Sequence, residues 1–130
     1  MDLNLVLLVT SDRDLDQLVI ATLRDSDIAI LRARNVDEAM KIVCEHCADL
    51  RFAIIDLDEG CHGMTFLGAI NSLRAALPVV VMTGSEDAYH VAALAYANKA
   101  AACLAKPISV AELRMVLHDL DHAKLELAVA

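Results

Sequence analysis

The sequence predicts an α/β domain of the doubly wound class, with helices on both faces of a five-stranded parallel sheet. Five short apolar segments alternate with five segments whose apolar residues recur at helical spacing. The apolar run 52–55 stops abruptly at Asp56, which is typical of a strand buried on both faces in the middle of a parallel sheet. The length of 130 residues suits one domain, and we predict a single domain over residues 1–130.

The strands are predicted from short apolar runs that end at polar or turn-forming residues. The first is nearly all apolar and breaks at Thr10, and the third ends at Asp56. The fourth is a valine-rich run that ends at Thr83, and the fifth is weak. The predicted strands cover residues 3–9, 28–33, 52–56, 79–82 and 101–105.

The helices are predicted from apolar residues at helical spacing and from the residues at their ends. Asn35 with Glu38 and Ser109 with Glu112 have the spacing of capping boxes, which begin helices two and five. Pro78 is predicted to end helix three, because proline disfavours the helical conformation in the residue before it. Right-handed helical crossovers between parallel strands then place helices on both faces of the sheet. We expect three on one face and two on the other.

The composition excludes several classes of function. A net charge of -8 makes the domain a poor binder of nucleic acid or of an anionic membrane. No stretch approaches 18 uninterrupted apolar residues, the length typical of a membrane span, and the N-terminus lacks the basic region of a secretory signal. We therefore expect a cytoplasmic domain whose partners are proteins or a cation.

Two of the cysteines have a spacing that is found in zinc sites. Cys44 and Cys47 have the C-x-x-C spacing of zinc ligands, and Cys61-His62 would complete such a site. The residues around Cys44 and Cys47 are predicted to be helical, however, and two of the cysteines continue the apolar stripe of that helix. We therefore predict that Cys44 and Cys47 are free, mostly buried thiols without zinc.

Polar residues follow four of the predicted strands. Thr10-Ser11-Asp12 follows strand one, Asp56 ends strand three, Thr83 ends strand four and Lys106 follows strand five. The carboxyl ends of parallel strands share one edge of the sheet, which is where open α/β sheets carry out chemistry. A carboxylate, a hydroxyl and an ammonium at this edge suit a phosphoryl group on the carboxylate. The ammonium offsets phosphate charge, and the hydroxyl donates a hydrogen bond.

With these residues in place, the chain resembles the receiver domain of two-component response regulators over nearly its full length. The resemblance rests on the strand ending in Asp56 and on the segments Pro78-Val79-Val80-Val81-Met82-Thr83 and Leu104-Ala105-Lys106-Pro107. The segment Asn35-Val36-Asp37-Glu38-Ala39 is also similar. The resemblance implies a flavodoxin-like (βα)5 receiver fold with the strand order 2-1-3-4-5.

The resemblance also implies a role for each residue at the strand ends. Asp56 would accept a phosphoryl group from a histidine kinase or a phosphotransfer protein. Thr83 would be the switch hydroxyl, and Lys106 would contact the phosphate and precede Pro107 through a cis bond. The surface of helix four, strand five and helix five would contact partners and is where we expect a homodimer to form.

The sequence departs from the family where Mg²⁺ is normally bound. Thr10 and Ser11 stand in the places of the family's acidic pair, and Asp12 is the only acid nearby. Mg²⁺ takes oxygen ligands in tight octahedral geometry and relies on one or two carboxylates. Asp12, Asp56 and Asp58 remain candidate ligands, although Asp12 is more simply the cap of helix one. We therefore expect Mg²⁺ binding to be weak or absent.

Further departures leave two functions open. Asp58 and Glu59 would repel a phosphate dianion on Asp56, and Cys103 replaces the aromatic switch residue of strand five. One function is a phosphorelay receiver with weakened, Mg²⁺-dependent phosphorylation at Asp56. The other is a pseudo-receiver that acts as a protein-interaction or dimerisation module without phosphate. A nucleotide binder of the flavodoxin type is disfavoured because no glycine-rich phosphate loop follows strand one.

Overall fold

The fold is confirmed as a five-stranded parallel sheet with helices on both faces. A computed structural model of the chain describes residues 4–58, 63–74, 76–84 and 86–129, with side chains at all of these positions except 88 and 121–129. The strands are β1 (Leu5–Val9), β2 (Ala29–Ala33), β3 (Leu50–Asp56), β4 (Val79–Thr83) and β5 (Ala102–Ala105). They lie in the order β2-β1-β3-β4-β5, and every neighbouring pair is parallel.

The helices divide three and two between the faces of the sheet, as predicted. They are α1 (Arg13–Leu23), α2 (Val36–His46), α3 (Gly63–Leu73), α4 (Ala88–Ala97) and α5 (Val110–Val129), and a short 3₁₀ turn covers Cys47–Asp49. The buried residues of α2, α3 and α4 belong to one core cluster, whereas those of α1 and α5 belong to the other. Of the helices described, none combines the length and apolar character that crossing a membrane requires.

The two clusters meet at the central strands. Ile55 and Val81 face the α2–α3–α4 side, and Ile54 and Val80 face the α1–α5 side. All four side chains are fully buried. Because alternate residues of a strand point to opposite faces, a strand that is covered on both faces must be apolar throughout. Each such side chain contributes roughly 1.5–3 kcal/mol of hydrophobic stabilisation, which holds the strand ends firmly in place.

The capping residues begin their helices as predicted. Asn35 Oδ1 accepts a hydrogen bond from Glu38 N at 2.9 Å, and Ser109 Oγ accepts one from Glu112 N at 3.1 Å. In contrast, α3 ends at Leu73 and does not continue to Pro78. Here Leu77 N donates to Arg74 O at 3.1 Å, so the chain already turns before the proline.

One prediction about the cysteines is wrong. Cys44 is exposed, although it is a free thiol as expected, and Cys47 is only partly buried. Val43 and Cys47 are four residues apart and face the sheet together, whereas Cys44 lies about 100° around the helix from Val43. Cys61 and His62, which would have completed the zinc site that the sequence analysis disfavours, lie outside the described residues. Within the described part of the chain, no group of three or more His, Cys, Asp or Glu residues could hold a metal ion.

Candidate functional site

The carboxyl ends of four strands bring the predicted polar residues together. Asp56 is the last residue of β3 and Thr83 the last of β4, while Thr10 follows β1 and Lys106 follows β5. The register pairs Asp56 with Met82 and Thr83 with Ala105, so these ends lie at one level of the sheet. The strands therefore place the Asp56 carboxylate, the Thr83 hydroxyl and the Lys106 ammonium at the same edge of the sheet.

Asp56 is a buried carboxylate with both oxygens hydrogen-bonded. The residue is 2% exposed. Its Oδ1 accepts from Asp58 N at 3.0 Å, and its Oδ2 accepts from Thr10 Oγ1 at 2.8 Å. Lys106 Nζ lies 3.0 Å from each of the two oxygens. The burial of this charge is therefore compensated by an ammonium, a hydroxyl and a backbone N–H.

Lys106 is the centre of a cluster of three carboxylates. Besides Asp56, its Nζ lies 3.1 Å from Asp58 Oδ2 and 3.5 Å from Asp12 Oδ2. Burial by itself lowers the pKa of Lys106, but the hydrogen bonds and charges of Asp56 and Asp58 outweigh it and raise the pKa above its ordinary value. The ammonium therefore stays charged at neutral pH. The peptide bond from Lys106 to Pro107 is cis.

Asp12 both caps α1 and takes part in the cluster. Its side chain accepts hydrogen bonds from the backbone N–H groups of Asp14 and Leu15, which confirms the predicted cap. Burial by itself would raise the pKa of Asp12, but these two hydrogen bonds and the Lys106 charge lower it. Asp12 N in turn donates to Thr10 Oγ1 at 3.0 Å. The hydroxyl that holds Asp56 is thus fixed by the start of α1.

Asp58 makes contacts that the sequence reasoning did not predict. Its Oδ2 accepts from Gly84 N at 2.8 Å, and its Oδ1 accepts from Thr83 Oγ1 at 3.4 Å. A Cβ atom at Gly84 would lie 3.0 Å from Asp58 Oδ2, so the glycine permits this close approach. The sequence contained one signal for these contacts: a carboxylate follows two residues after Asp56, and a glycine directly follows Thr83.

An open pocket of about 340 Å³ lies beside Thr83, between α4 and β5. Thr83, Ala92, Cys103 and Ala105 line it together with Tyr89, which is 94% exposed. Burial raises the pKa of the Cys103 thiol, which therefore remains protonated at neutral pH. The strand position that would carry an aromatic switch residue is thus occupied by a small, neutral side chain.

The strand order and the polar side chains at the carboxyl edge of the sheet are those of a receiver-type domain. The family model for the response regulator receiver domain matches residues 6–118, and the chain belongs to this family. Receiver domains act in two-component signalling, and they generally interact with kinases or phosphotransfer proteins. Among curated proteins, none matches the chain significantly.

Solved structures show the same fold. A response regulator receiver domain protein from Clostridium thermocellum has a TM-score of 0.84 at 23% identity, covering 95% of this chain and 98% of that chain. NtrX from Brucella abortus has a TM-score of 0.84 at 24% identity, covering 96% of this chain and 28% of that chain. A response regulator receiver protein from Pseudoalteromonas atlantica has a TM-score of 0.79 at 21% identity, covering 92% of this chain and 98% of that chain.

Receiver domains generally bind Mg²⁺, but the residues described here do not fit that ion as they are arranged. The position between the carboxylates of Asp12, Asp56 and Asp58 holds the ammonium of Lys106. A cation at this position would compete with the ammonium for the same carboxylate oxygens, and Mg²⁺ also requires its oxygen ligands in octahedral geometry. Thr10 adds a hydroxyl that is already committed to Asp56 as a donor.

Proposed function

We propose that Asp56 is the phosphoacceptor of a two-component phosphorelay and that it accepts the phosphoryl group slowly. The observation that carries this proposal is the position of Lys106 Nζ, 3.0 Å from both oxygens of Asp56. Thr83, at the end of the adjacent strand, supplies a nearly buried hydroxyl on the same edge. The donor would be a histidine kinase or a phosphotransfer protein that carries the group on a histidine.

The reaction is an in-line transfer between two nucleophiles. An oxygen of Asp56 forms a bond to phosphorus while the bond from phosphorus to the histidine nitrogen breaks, and the electron pair returns to the imidazole ring. The product is an acyl phosphate on Asp56. Lys106 compensates the charge that accumulates on the transferring oxygens, and Thr83 is positioned to donate a hydrogen bond to one of them.

Three features oppose this transfer. Each oxygen of Asp56 already accepts two hydrogen bonds, so one of these contacts must be released before an oxygen can attack. The carboxylates of Asp12 and Asp58 share the Lys106 ammonium with the acceptor, which leaves less positive charge for the incoming group. With the single charge of Lys106 as the cation among these carboxylates, the transition state is less well stabilised than in a site that binds a divalent metal.

The proposal predicts which residue is labelled. Incubation with a small acyl phosphate donor, followed by intact-mass measurement, is expected to add at most one phosphoryl group, located on Asp56. Asp56→Asn should abolish the gain, because the amide cannot form an acyl phosphate. Asp25→Asn, at an exposed position away from the site, is the matched control and should be labelled like the wild type. Labelling that survives Asp56→Asn would remove the residue on which the proposal depends.

The second candidate function is that of a pseudo-receiver that acts through its surface alone. The complete pairing of the Asp56 oxygens with groups of the chain itself favours this alternative. Apolar side chains also remain exposed on α4 and α5, where Leu94 is 44%, Tyr96 52% and Met115 67% exposed. Tyr96 additionally holds β5, since its hydroxyl accepts a hydrogen bond from Cys103 N at 3.1 Å. A homodimer through α4, β5 and α5 remains a prediction of this alternative.

A further inference from the structure

The carboxylate of Asp58 lies among three hydrogen-bond donors from neighbouring strand ends. Gly84 N is 2.8 Å and Lys106 Nζ is 3.1 Å from Oδ2, and Thr83 Oγ1 is 3.4 Å from Oδ1. A backbone N–H, an ammonium and a hydroxyl that converge on the two oxygens of one carboxylate form an oxyanion site. In this structure, a carboxylate of the chain itself occupies that site.

The same donors are those that a phosphoryl group on Asp56 would need. Lys106 Nζ contacts both carboxylates, and Asp58 N donates to Asp56 Oδ1 at 3.0 Å, so the two side chains adjoin. A group bonded to an Asp56 oxygen would therefore extend into the space beside Lys106 and toward Thr83. That space is where the Asp58 carboxylate lies, and two anions cannot share these donors without strong repulsion.

We propose that Asp58 is an internal competitor, whose carboxylate occupies the anion site that a phosphoryl group on Asp56 requires. The inference rests on the proposed function in one respect, that the competing ligand is a phosphoryl group. It extends that function by naming the residue that keeps the site closed. While Asp56 is unmodified, the Asp58 carboxylate thus accepts the hydrogen bonds from Thr83 and Gly84 that a phosphoryl group would otherwise accept.

The local structure allows Asp58 both to enter the site and to leave it. Gly84 has no side chain, and the Cβ of any other residue would lie 3.0 Å from Asp58 Oδ2. The side chain of Asp58 is 40% exposed, in contrast to that of Asp56, which is 1% exposed. Asp58 can therefore turn toward water without leaving a buried charge behind, and the competition is reversible.

The test measures anion binding separately from phosphorylation. Asp56→Asn removes the acceptor, and Asp58→Ala is then added to open the site. Inorganic phosphate is titrated into both variants while the amide resonance of Gly84 is followed by NMR. We expect the Asp56→Asn/Asp58→Ala variant to bind phosphate at least roughly tenfold more tightly, because three donors become available and one negative charge is lost.

Two controls identify the cause of the gain. Asp37→Ala, in the Asp56→Asn variant, removes the same charge at an exposed position of α2 and should leave phosphate affinity unchanged. Thr83→Val, in the opened variant, removes one donor and should weaken binding. Equal affinity with and without Asp58, or a gain that persists in full after Thr83→Val, would overturn the inference. Neither result depends on Asp56 being labelled, so failure of this inference and failure of the proposed function are distinguishable.

Discussion

Replacement of Lys106 by methionine is expected to lower the free energy of unfolding by about 3 kcal/mol. Methionine fills a similar volume but removes the ammonium that contacts Asp12, Asp56 and Asp58. Because Asp56 is 2% exposed, its carboxylate would remain buried without a counter-charge. The raised pKa of Lys106 means that this stabilisation is fully present at neutral pH and is lost only as the pH rises through that raised value.

Urea unfolding at neutral pH measures the effect. Lys41→Met, at an exposed position of α2, is the matched control and should change stability little. Adding Asp56→Asn to Lys106→Met should restore most of the loss, since the uncompensated charge is then removed as well. A loss below about 1 kcal/mol, the range of an exposed ion pair, would contradict the central place that we assign to Lys106.

Restoring two carboxylates after β1, as Thr10→Asp with Ser11→Asp, is expected to accelerate labelling of Asp56 at least about 100-fold in the presence of Mg²⁺. Thr10 Oγ1 is 2.8 Å from Asp56 Oδ2, so a carboxylate at position 10 would adjoin the acceptor directly. Together with Asp56 it would offer Mg²⁺ carboxylate oxygens where the wild type has a hydroxyl that donates to Asp56. Without Mg²⁺, the added charges should instead repel the donor and slow labelling below the wild-type rate.

The neutral variant Thr10→Asn with Ser11→Asn is the control for this change. It alters the same two positions without adding charge, and no Mg²⁺-dependent gain is expected. If the carboxylate variant binds Mg²⁺ and Asp56 still remains unlabelled, the phosphorelay function fails and the interaction module is favoured. The rate of phosphoryl-group addition, read by intact mass at a fixed donor concentration, decides between these results.

Much of the fold could be predicted because it depends on patterns that the sequence repeats. Apolar runs fix which strands are covered on both faces, and capping residues such as Asn35 and Ser109 fix where helices begin. The strand order came from the resemblance to the family and not from these patterns. Two local details were not predicted. The helix α3 ends at Leu73, before Pro78, and Cys44 is exposed because the neighbouring Val43 faces the core.

Within the candidate site, only the residues that the strand ends position could be predicted from the sequence. Asp56, Thr83 and Lys106 come together because parallel strands deliver their carboxyl ends to one edge. The hydrogen bond from Thr10 to Asp56 and the contacts of Asp58 could not be predicted, since they depend on side-chain rotamers and loop conformation, which leave no periodic signal in a sequence. In the proposed function, these missed contacts are the ones that limit how readily Asp56 accepts a phosphoryl group.

The most direct test of the proposed phosphoacceptor role is the initial rate at which a small acyl phosphate labels Asp56 in the wild-type protein, measured with and without Mg²⁺. The expected result is a slow rate that Mg²⁺ changes little, because Lys106 is the cation that contacts the three carboxylates and Thr10 donates a hydrogen bond to Asp56. Rapid, near-complete labelling that requires Mg²⁺ would contradict it, and would show that the chain gathers metal ligands despite the arrangement described here.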